Sequence, residues 1–377
     1  MKKRYTGVVR LFAATVAITL LLTRTGLLFP EENQLATHTT FFNDNAGLGV
    51  KAPSFQFIRS LGSKASLAVQ YTLDRVGIPP LRGISGIPLP TDAITGASRP
   101  VDDSSSVGTY FKNRNQFIGQ LTLDRFSFTG YYSTEIDYQG RLVGAGYNKD
   151  FNMKNTNIAV GFAYGWDDIT PTGQDTAHTR RSYLANIAVT QSLSPTSIMR
   201  IGVDLSLLRG FQTNPYRTVN VDGGYYLENH PLSRTRVAGY VKLNKYFKRA
   251  NAALWLDYRL YADDWGLISH TAGIKFYQNI TQNVLVRYRY RYYTQNSVWF
   301  YQKEYPLQGR PVYYTADYKL KPFQAQLFGF KIVWQAHALN RFIGFAHHTE
   351  LDFKIERFFT SESFGANIMQ TGMTFHF

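Results

Sequence analysis

The feature that most constrains this chain is a repeated alternation of apolar with polar or small side chains. In the segment 345–357, one face carries Thr349, Leu351, Phe353 and Ile355, and the residues between them are polar or charged. Successive side chains of a β-strand point to opposite faces, so this period of two predicts strands with one apolar and one polar face. After residue 30 no apolar run approaches the roughly 18 residues of a helical membrane span. The pattern therefore favours strands that separate lipid from water.

About 14 segments of this kind follow one another to the C-terminus. They are 65–74, 115–125, 127–138, 141–151, 156–166, 181–192, 197–208, 233–246, 250–261, 266–278, 282–296, 322–334, 345–357 and 366–377. Connections of one parity are short, apart from 335–344. The long connections all belong to the other parity, namely 75–114, 167–180, 209–232 and 297–321. This asymmetry is typical of outer-membrane barrels and predicts that both termini lie in the periplasm.

The fold class predicted is all-β, a transmembrane antiparallel up-and-down β-barrel of about 14 strands with long extracellular loops. The apolar stretch Val219–Leu227 inside a loop could supply further strands, so about 16 strands is the alternative. The domains predicted are a signal peptide over 1–27, an N-terminal periplasmic or lumenal segment over 28–64, and the barrel over 65–377.

The N-terminus has the organisation of an export signal. Lys2, Lys3, Arg4 and Arg10 precede the apolar run Leu11–Leu22, which is too short to span a membrane as a helix. The segment 23–26 is a poor cleavage site for a signal peptidase, so the sequence does not fix the position of cleavage. An uncleaved N-terminal anchor is the alternative. Export to the outer membrane is the localisation that the signal and the strands predict together.

Composition supports the membrane barrel. The chain contains 26 Tyr and 27 Phe, and barrels carry aromatic girdles at both membrane interfaces. It contains no Cys, which excludes disulfides, thiolate metal sites, a cysteine nucleophile and a lipoprotein anchor. The net charge of +15 is spread through the alternating strands without a basic helix or tract, so nucleic-acid binding is not predicted.

The last strand carries the most specific short signal. Gln370, Gly372, Phe375 and Phe377 resemble the terminal signal of outer-membrane barrels that the barrel-assembly machinery reads. Met373, Phe375 and Phe377 form an apolar edge, and Gly372 permits a close backbone approach as the barrel closes. At the end of a series of alternating strands, this signal predicts assembly into the outer membrane.

Catalytic and metal motifs are not found in the sequence. Ser269 and His270 are the best nucleophile and base candidates, but alternation places them on opposite faces of a strand. His347 and His348 are separated in the same way. We therefore expect no enzyme activity, no metal and no cofactor.

Two pairs of acidic residues lie beside tryptophans at the outer strand ends, in Trp166-Asp167-Asp168 and Asp263-Asp264-Trp265. They could bind divalent ions that bridge lipopolysaccharide. The simpler interpretation is an interfacial tryptophan followed by the start of a loop.

The region 211–301 contains FQTNPYRTV, HPLSRTR, YADDWGLISHT and RYRYYTQNSVWFY, and DAITGAS lies upstream at 92–98. These motifs resemble an uncharacterised family of bacterial outer-membrane proteins classed as a domain of unknown function. The resemblance implies a barrel without naming a substrate. It also implies an occasional link with periplasmic redox and flavin-attachment proteins.

A barrel of about 14 strands is too wide for side chains to fill, so its lumen holds water or a plug. Arg287, Arg289 and Arg291 share one face of a predicted strand, and Lys275 and Lys331 lie on its neighbours. We predict that these five cations form an anion-attracting patch in the lumen.

The patch needs counter-charges, because like charges about 7 Å apart on one face repel each other. The inward acids that could neutralise it lie farther round the wall or across the lumen. They are Glu135, Asp137, Glu350, Asp352 and Glu356.

The function predicted is a channel or transporter for small polar or anionic solutes. The alternative is a non-transporting surface scaffold or receptor, which could be linked to a periplasmic or surface redox system. The partners expected of the protein are outer-membrane lipid, lipopolysaccharide, the barrel-assembly machinery and a small polar solute.

Overall fold

In the computed structural model, the described residues are 33–78, 110–173, 175–306 and 311–377, and they form a closed antiparallel barrel of 16 strands with a small sheet on its rim. The predicted signal peptide and the motif at 92–98 lie outside the described residues. The strands are β1 (Gln34–Asp44), β2 (Gly49–Ser60), β3 (Ala65–Ile78), β4 (Tyr110–Leu123), β5 (Phe126–Thr134), β6 (Tyr138–Phe151), β7 (Thr156–Ile169), β8 (His178–Ser194), β9 (Ser197–Gly210), β10 (Thr218–Val221), β11 (Gly224–Leu227), β12 (Ser233–Phe247), β13 (Ala252–Asp263), β14 (Ile268–Asn279), β15 (Val284–Gln295), β16 (Glu304–Tyr305), β17 (Phe323–Gln335), β18 (His348–Thr360) and β19 (Gly365–His376).

The alternation in the sequence becomes the two faces of the barrel wall. In β7, Val160 and Phe162 are exposed on the outside, with Phe162 at 65% exposure, while Ala159 and Gly161 face the lumen. Exposed large apolar side chains recur around the whole outer surface. This outer band suits lipid, and the polar inner rows suit water or polar solutes.

The two strands missing from the predicted 14 are at the N-terminus. The segment 28–64 was expected to lie in the periplasm or the lumen, but residues 34–60 form β1 and β2 of the wall. Both strands alternate weakly, because β1 is rich in Thr and β2 contains Pro53. β1 closes the barrel by pairing with β19 from Gln34 opposite His376 to Asp44 opposite Ala366.

The stretch Val219–Leu227 does form strands, as its sequence suggested, but they are not part of the wall. β10 pairs antiparallel with β11 and parallel with β16, which lies some 80 residues later in the chain. The resulting small sheet belongs to two long loops, and we call their described residues, 211–232, 296–306 and 311–322, the cap. The cap lies at the long-loop end of the barrel, which parity assigns to the extracellular side.

Short connections occupy the opposite, periplasmic end. Two 3₁₀ helices, Lys248–Ala250 and His337–Arg341, lie in connections at this end. No helix among the described residues is long and apolar enough to cross a membrane.

Candidate functional site

The predicted basic patch lies on neighbouring strands of the wall. Arg289 stands opposite Lys275 of β14, and Arg287 stands opposite Lys331 of β17. Arg291 lies one step farther toward the extracellular end of β15 and faces Gly273 of β14. Tyr288, which alternates with the arginines, is 50% exposed on the outer surface. The register therefore places the cations in adjacent inward rows, as the alternation predicted.

One acid neutralises the periplasmic half of the arginine series. The Glu356 side chain is only 4% exposed, and its Oε1 lies 3.3 Å from Arg287 Nη2 and 3.0 Å from Arg289 Nη1. Glu356 belongs to β18, two strands from β15, and it reaches across Gly329 of the intervening β17. Because a buried carboxylate that bridges two guanidinium groups holds both in place, Arg287 and Arg289 have a structural role.

A similar crossing occurs at the closing seam. Asp352 of β18 lies 3.1 Å from Nε2 of His38 on β1, across Gly372 of β19. The other oxygen of Asp352 lies 3.0 Å from Lys331 Nζ. A Cβ atom at Gly372 would overlap the carboxylate of Asp352 and the ring of His38, so a larger residue here would have to displace them. The glycine of the terminal signal thus has a physical role in the folded barrel.

Three other inward cations lack such a partner. Within the described part of the chain, no carboxylate lies within 4.0 Å of Lys242, Lys275 or Arg291. Lys242 Nζ lies 5.2 Å from the centre of the Tyr240 ring, and Lys275 Nζ lies 5.6 Å from that of Trp255. An aromatic face attracts a cation without cancelling its charge, so these groups remain available to an anion.

The three cations line one side of a cavity of about 900 Å³. Its lining also includes Asp257, whose carboxylate lies close to Gly273, and the pair Arg259 and Asp204, which are 3.2 Å apart. The cavity extends from mid-lumen to the underside of the cap. Positive charge therefore predominates in the space through which a solute would pass.

The wall across the lumen has a different character. β5 lies half-way round the ring of 16 strands from β15, and β6, β7 and β8 lie opposite β17, β18 and β19. The inward residues of β5, β6, β7 and β8 that line a second space of about 650 Å³ are uncharged, and most of them are small. They include Ser127, Thr129, Gly144, Gly146, Ala159, Gly161, Ala163 and Asn186. β15, with Arg291, thus faces the uncharged inward residues of β5 across the lumen.

Three of the predicted acids are engaged elsewhere. Glu135 and Asp137, expected across the lumen from the arginines, lie at the extracellular end, where each has an oxygen 2.7 Å from Lys112 Nζ. Glu350 lies 3.4 Å from His348 Nε2 near the periplasmic end. Of the five acids considered, Glu356 is therefore the one that contacts the arginines of β15.

The cap covers part of the extracellular mouth, and its two loops pack through buried groups. The Glu228 side chain is fully buried, and its Oε1 accepts hydrogen bonds from Thr315 Oγ1 at 2.9 Å and from the Ala316 amide at 3.1 Å. Gln295, an inward residue of β15, donates to the carbonyls of Lys319 and Lys321. The cap is thus joined to the wall directly above the basic cavity.

A second contact ties the cap to the other side of the mouth. The Tyr216 hydroxyl donates to Asp137 Oδ2 at 2.6 Å and accepts from the Thr172 amide at 2.8 Å. Burial raises the pKa of Tyr216, and the hydrogen bond to Asp137 raises it further.

Sequence reasoning missed this cap because its contacts join loops far apart in the chain. The apolar run at Val219 was the one signal that could have indicated it.

Ser269 and His270, the residues considered for catalysis, lie on opposite faces of β14. Ser269 lines the cavity and is buried, whereas His270 faces outward and contacts the Tyr258 hydroxyl at 2.7 Å. Among the described residues, no group of three or more acidic or histidine side chains is placed to hold a metal ion.

The barrel is closed, with an apolar band facing lipid and a polar lumen. Its first strand begins and its last strand ends at the side with the short turns. These features define a transmembrane β-barrel of the bacterial outer membrane. More particularly, the chain belongs to the DUF3570 family, described as a protein of unknown function, whose profile matches residues 109–183 and 173–350. The resemblance seen in the sequence motifs is therefore confirmed at the level of the family.

Solved structures with a similar course of the chain include three outer-membrane proteins. One is a loop L8 deletion mutant of OmpT from Vibrio cholerae, with 9% identity and a TM-score of 0.45 over 92% of this chain and 98% of that one. OccD3 (OpdP) of Pseudomonas aeruginosa has 10% identity and a TM-score of 0.46 over 93% of each chain. OpdK of the same organism, solved with vanillate, has 9% identity and a TM-score of 0.45 over 92% and 98%. No curated protein matches this sequence.

Proposed function

We propose that this outer-membrane barrel is a channel for small anionic solutes. The observation that carries the proposal is the group of Lys242, Lys275 and Arg291, which line a cavity of about 900 Å³ without a carboxylate within 4.0 Å in the described part of the chain. Cations without a contacting carboxylate lower the energy of an anion in the cavity and raise that of a cation. The wall therefore favours anions over cations of similar size.

The division between paired and unpaired cations supports this proposal. Arg287 and Arg289 are held by Glu356, so their charges are largely compensated within the wall. Arg291 extends the same row toward the extracellular cavity, where it joins the two lysines. A solute that enters from the cap side would meet Arg291 first and, one step farther along the row, Lys275 beside the compensated Arg289.

The selectivity test replaces the three unpaired cations together, as Lys242→Gln, Lys275→Gln and Arg291→Gln. The measurement is the reversal potential of the refolded channel in a planar bilayer across a potassium chloride gradient. We expect the wild-type protein to prefer chloride and the triple variant to lose most of that preference, because the variant removes the attraction and leaves the Glu356 bridge intact.

The matched control removes three cations from the periplasmic end of the barrel, as Arg125→Gln, Lys149→Gln and Lys154→Gln. The control changes the net charge by the same amount as the triple variant. Because its three side chains lie in turns or on the outer face, the cavity is unaltered. Unchanged selectivity in the lumenal variant, or an equal loss in the control, would contradict the proposed role of the cavity.

A non-transporting surface receptor is the second candidate, and the docked cap favours it. Loops that pack across the mouth and bond to the wall could close the lumen and present a fixed surface instead. The wild-type protein separates the two candidates, since steady conductance in the bilayer supports the channel and silence of a folded barrel supports the receptor. Under either candidate we propose no catalysis, because Ser269 and His270 lie on opposite faces of β14.

A further inference from the structure

A row of three arginines and one tryptophan crosses four neighbouring strands on the outer surface of the barrel. Arg141 of β6 stands opposite Trp166 of β7, Trp166 opposite Arg181 of β8, and Arg181 opposite Arg209 of β9. All four belong to the outward series, since their strand neighbours Val143 and Leu207 are 52% and 40% exposed on the lipid side. We call these four residues the arginine row.

The height of the arginine row follows from the residues below it. Tyr164 and Tyr183 occupy the next outward positions toward the membrane centre, with ring centres 5.2 Å apart, and Trp166 stacks on Tyr164 at 5.6 Å. Phe162 and Leu205, at 65% and 50% exposure, follow in the next row. An apolar band followed by aromatic rings marks the membrane interface, so the arginines lie at the level of lipid head groups. β7, β8 and β9 end above the row in the connections 170–177 and 211–232, which places the row on the extracellular side.

The charge of the row favours the binding of an external anion. Arg181 and Arg209 are direct cross-strand neighbours, so their Cα atoms lie about 5 Å apart, and like charges in such a pair destabilise a sheet. Both side chains are exposed, and within the described residues no carboxylate lies within 4.0 Å of either. Two adjacent guanidinium groups repel each other when they face hydrocarbon or water alone. A phosphate group bound between them would offset this repulsion.

The acids beside Trp166 do not supply that charge. Asp167 faces the lumen side and holds Arg180 at 2.6 Å, whereas Asp168 faces outward and accepts a hydrogen bond from Arg141 at 2.6 Å. They therefore point to opposite faces and cannot chelate one divalent ion together. Asp168 orients Arg141 within the row, and neither acid contacts Arg181 or Arg209 in the part of the chain that the structure describes.

We propose that the arginine row binds the phosphates of the lipid A moiety of lipopolysaccharide. The phosphates of this glycolipid lie in the extracellular leaflet, at the height that the tyrosines assign to the row, and its acyl chains would pack on the apolar band below. Guanidinium groups bind phosphate through paired hydrogen bonds, and the row offers two of them side by side. The charge of the row and its continuity with the lipid-facing surface both fit this one occupant.

The test uses the folded barrel in detergent micelles and measures the temperature at which heat-modifiable gel mobility is lost. Diphosphoryl lipid A is titrated into the wild-type protein and into the double variant Arg181→Gln, Arg209→Gln. We expect saturable stabilisation of the wild-type barrel and an apparent affinity about 25-fold lower in the variant, or about fivefold for each arginine at an anionic lipid surface.

Two controls make the test specific. Lys149→Gln removes an outward cation at the periplasmic end of β6, where the leaflet contains phospholipid, and it should respond like the wild-type protein. Monophosphoryl lipid A should bind the wild-type protein more weakly than the diphosphoryl form. Equal stabilisation of the double variant and the wild-type protein would overturn the site. Equal stabilisation of the wild-type protein by phosphatidylglycerol or by inorganic phosphate would overturn the assignment to lipid A.

Discussion

At the scale of the residue, glycines in the inner rows determine which charges meet. Gly329 lets Glu356 cross β17 to reach Arg289, and Gly372 lets Asp352 cross β19 to reach His38. In each case a side chain on the intervening strand would occupy the path of the carboxylate. An ion pair between strands that are not direct neighbours therefore depends on the residue that lies between them.

Replacement of Gly372 by Ala tests this dependence. The added Cβ would lie within 2.2 Å of both Asp352 and His38, so the pair must separate or the backbone must shift. Overpacking of this kind costs about 1–3 kcal/mol, and urea unfolding of the refolded barrel in micelles should show a loss of that size. Gly239→Ala is the control, because a Cβ atom added there would meet no other atom within 4 Å and the stability should change little. Equal stability of Gly372→Ala and the wild-type barrel would show that the crossing is not needed.

At the scale of the element, the last strand joins both ends of the barrel wall. β19 pairs with β18 on one side and with β1 on the other, so no strand edge is left open. Phe375 packs against Phe345, and Phe377 packs against both Phe345 and Phe57. The aromatic residues of the terminal signal thus remain in use after assembly, on the outer surface near the periplasmic end.

The double variant Phe375→Ser, Phe377→Ser should be exported but should not form a folded barrel in cells, because β19 loses its apolar edge and the signal for assembly. Heat-modifiable mobility of the protein in outer-membrane fractions reports the outcome. Phe126→Ser, Phe128→Ser is the matched control, since these phenylalanines of β5 are 52% and 47% exposed to lipid and lie outside the signal. Normal folding of the terminal variant would remove the assembly role of these residues.

At the scale of the whole molecule, the parity of the connections sets the orientation in the membrane. Even the cap follows this rule, since its sheet and its buried clusters lie at the long-loop end. The orientation in turn decides which leaflet the arginine row meets and from which side a solute first reaches the cavity. Both proposals therefore depend on the same topology.

Orientation can be measured with short tags that contain a single cysteine, since the chain has no cysteine of its own. A tag after Gly223, in the open turn between β10 and β11, should react with a membrane-impermeant maleimide on intact cells. A tag after Thr196, in the short turn between β8 and β9, should react only after the outer membrane is permeabilised. Labelling of the second site on intact cells would invert the topology.

The sequence by itself determined what depends on local periodicity. All 14 predicted strands are present, the inward position of Arg287, Arg289 and Arg291 follows from alternation, and the order of short and long connections gives the orientation. The sequence pattern did not predict β1 and β2, because the Thr residues of β1 and Pro53 of β2 weaken the alternation. Those strands are specified by the closing partners that they find in β19 and β3.

Only the tertiary structure decided which charges are paired. A period of two tells which face a side chain occupies, but not which residue of another strand stands at the same height, because that depends on register and on ring closure. Glu356 therefore could not be separated from Glu135 as the partner of the arginines until the strands were aligned. The same limit applies to the arginine row, whose members are spread along the chain from Arg141 to Arg209 and meet only because four strands bring them to one level of the wall.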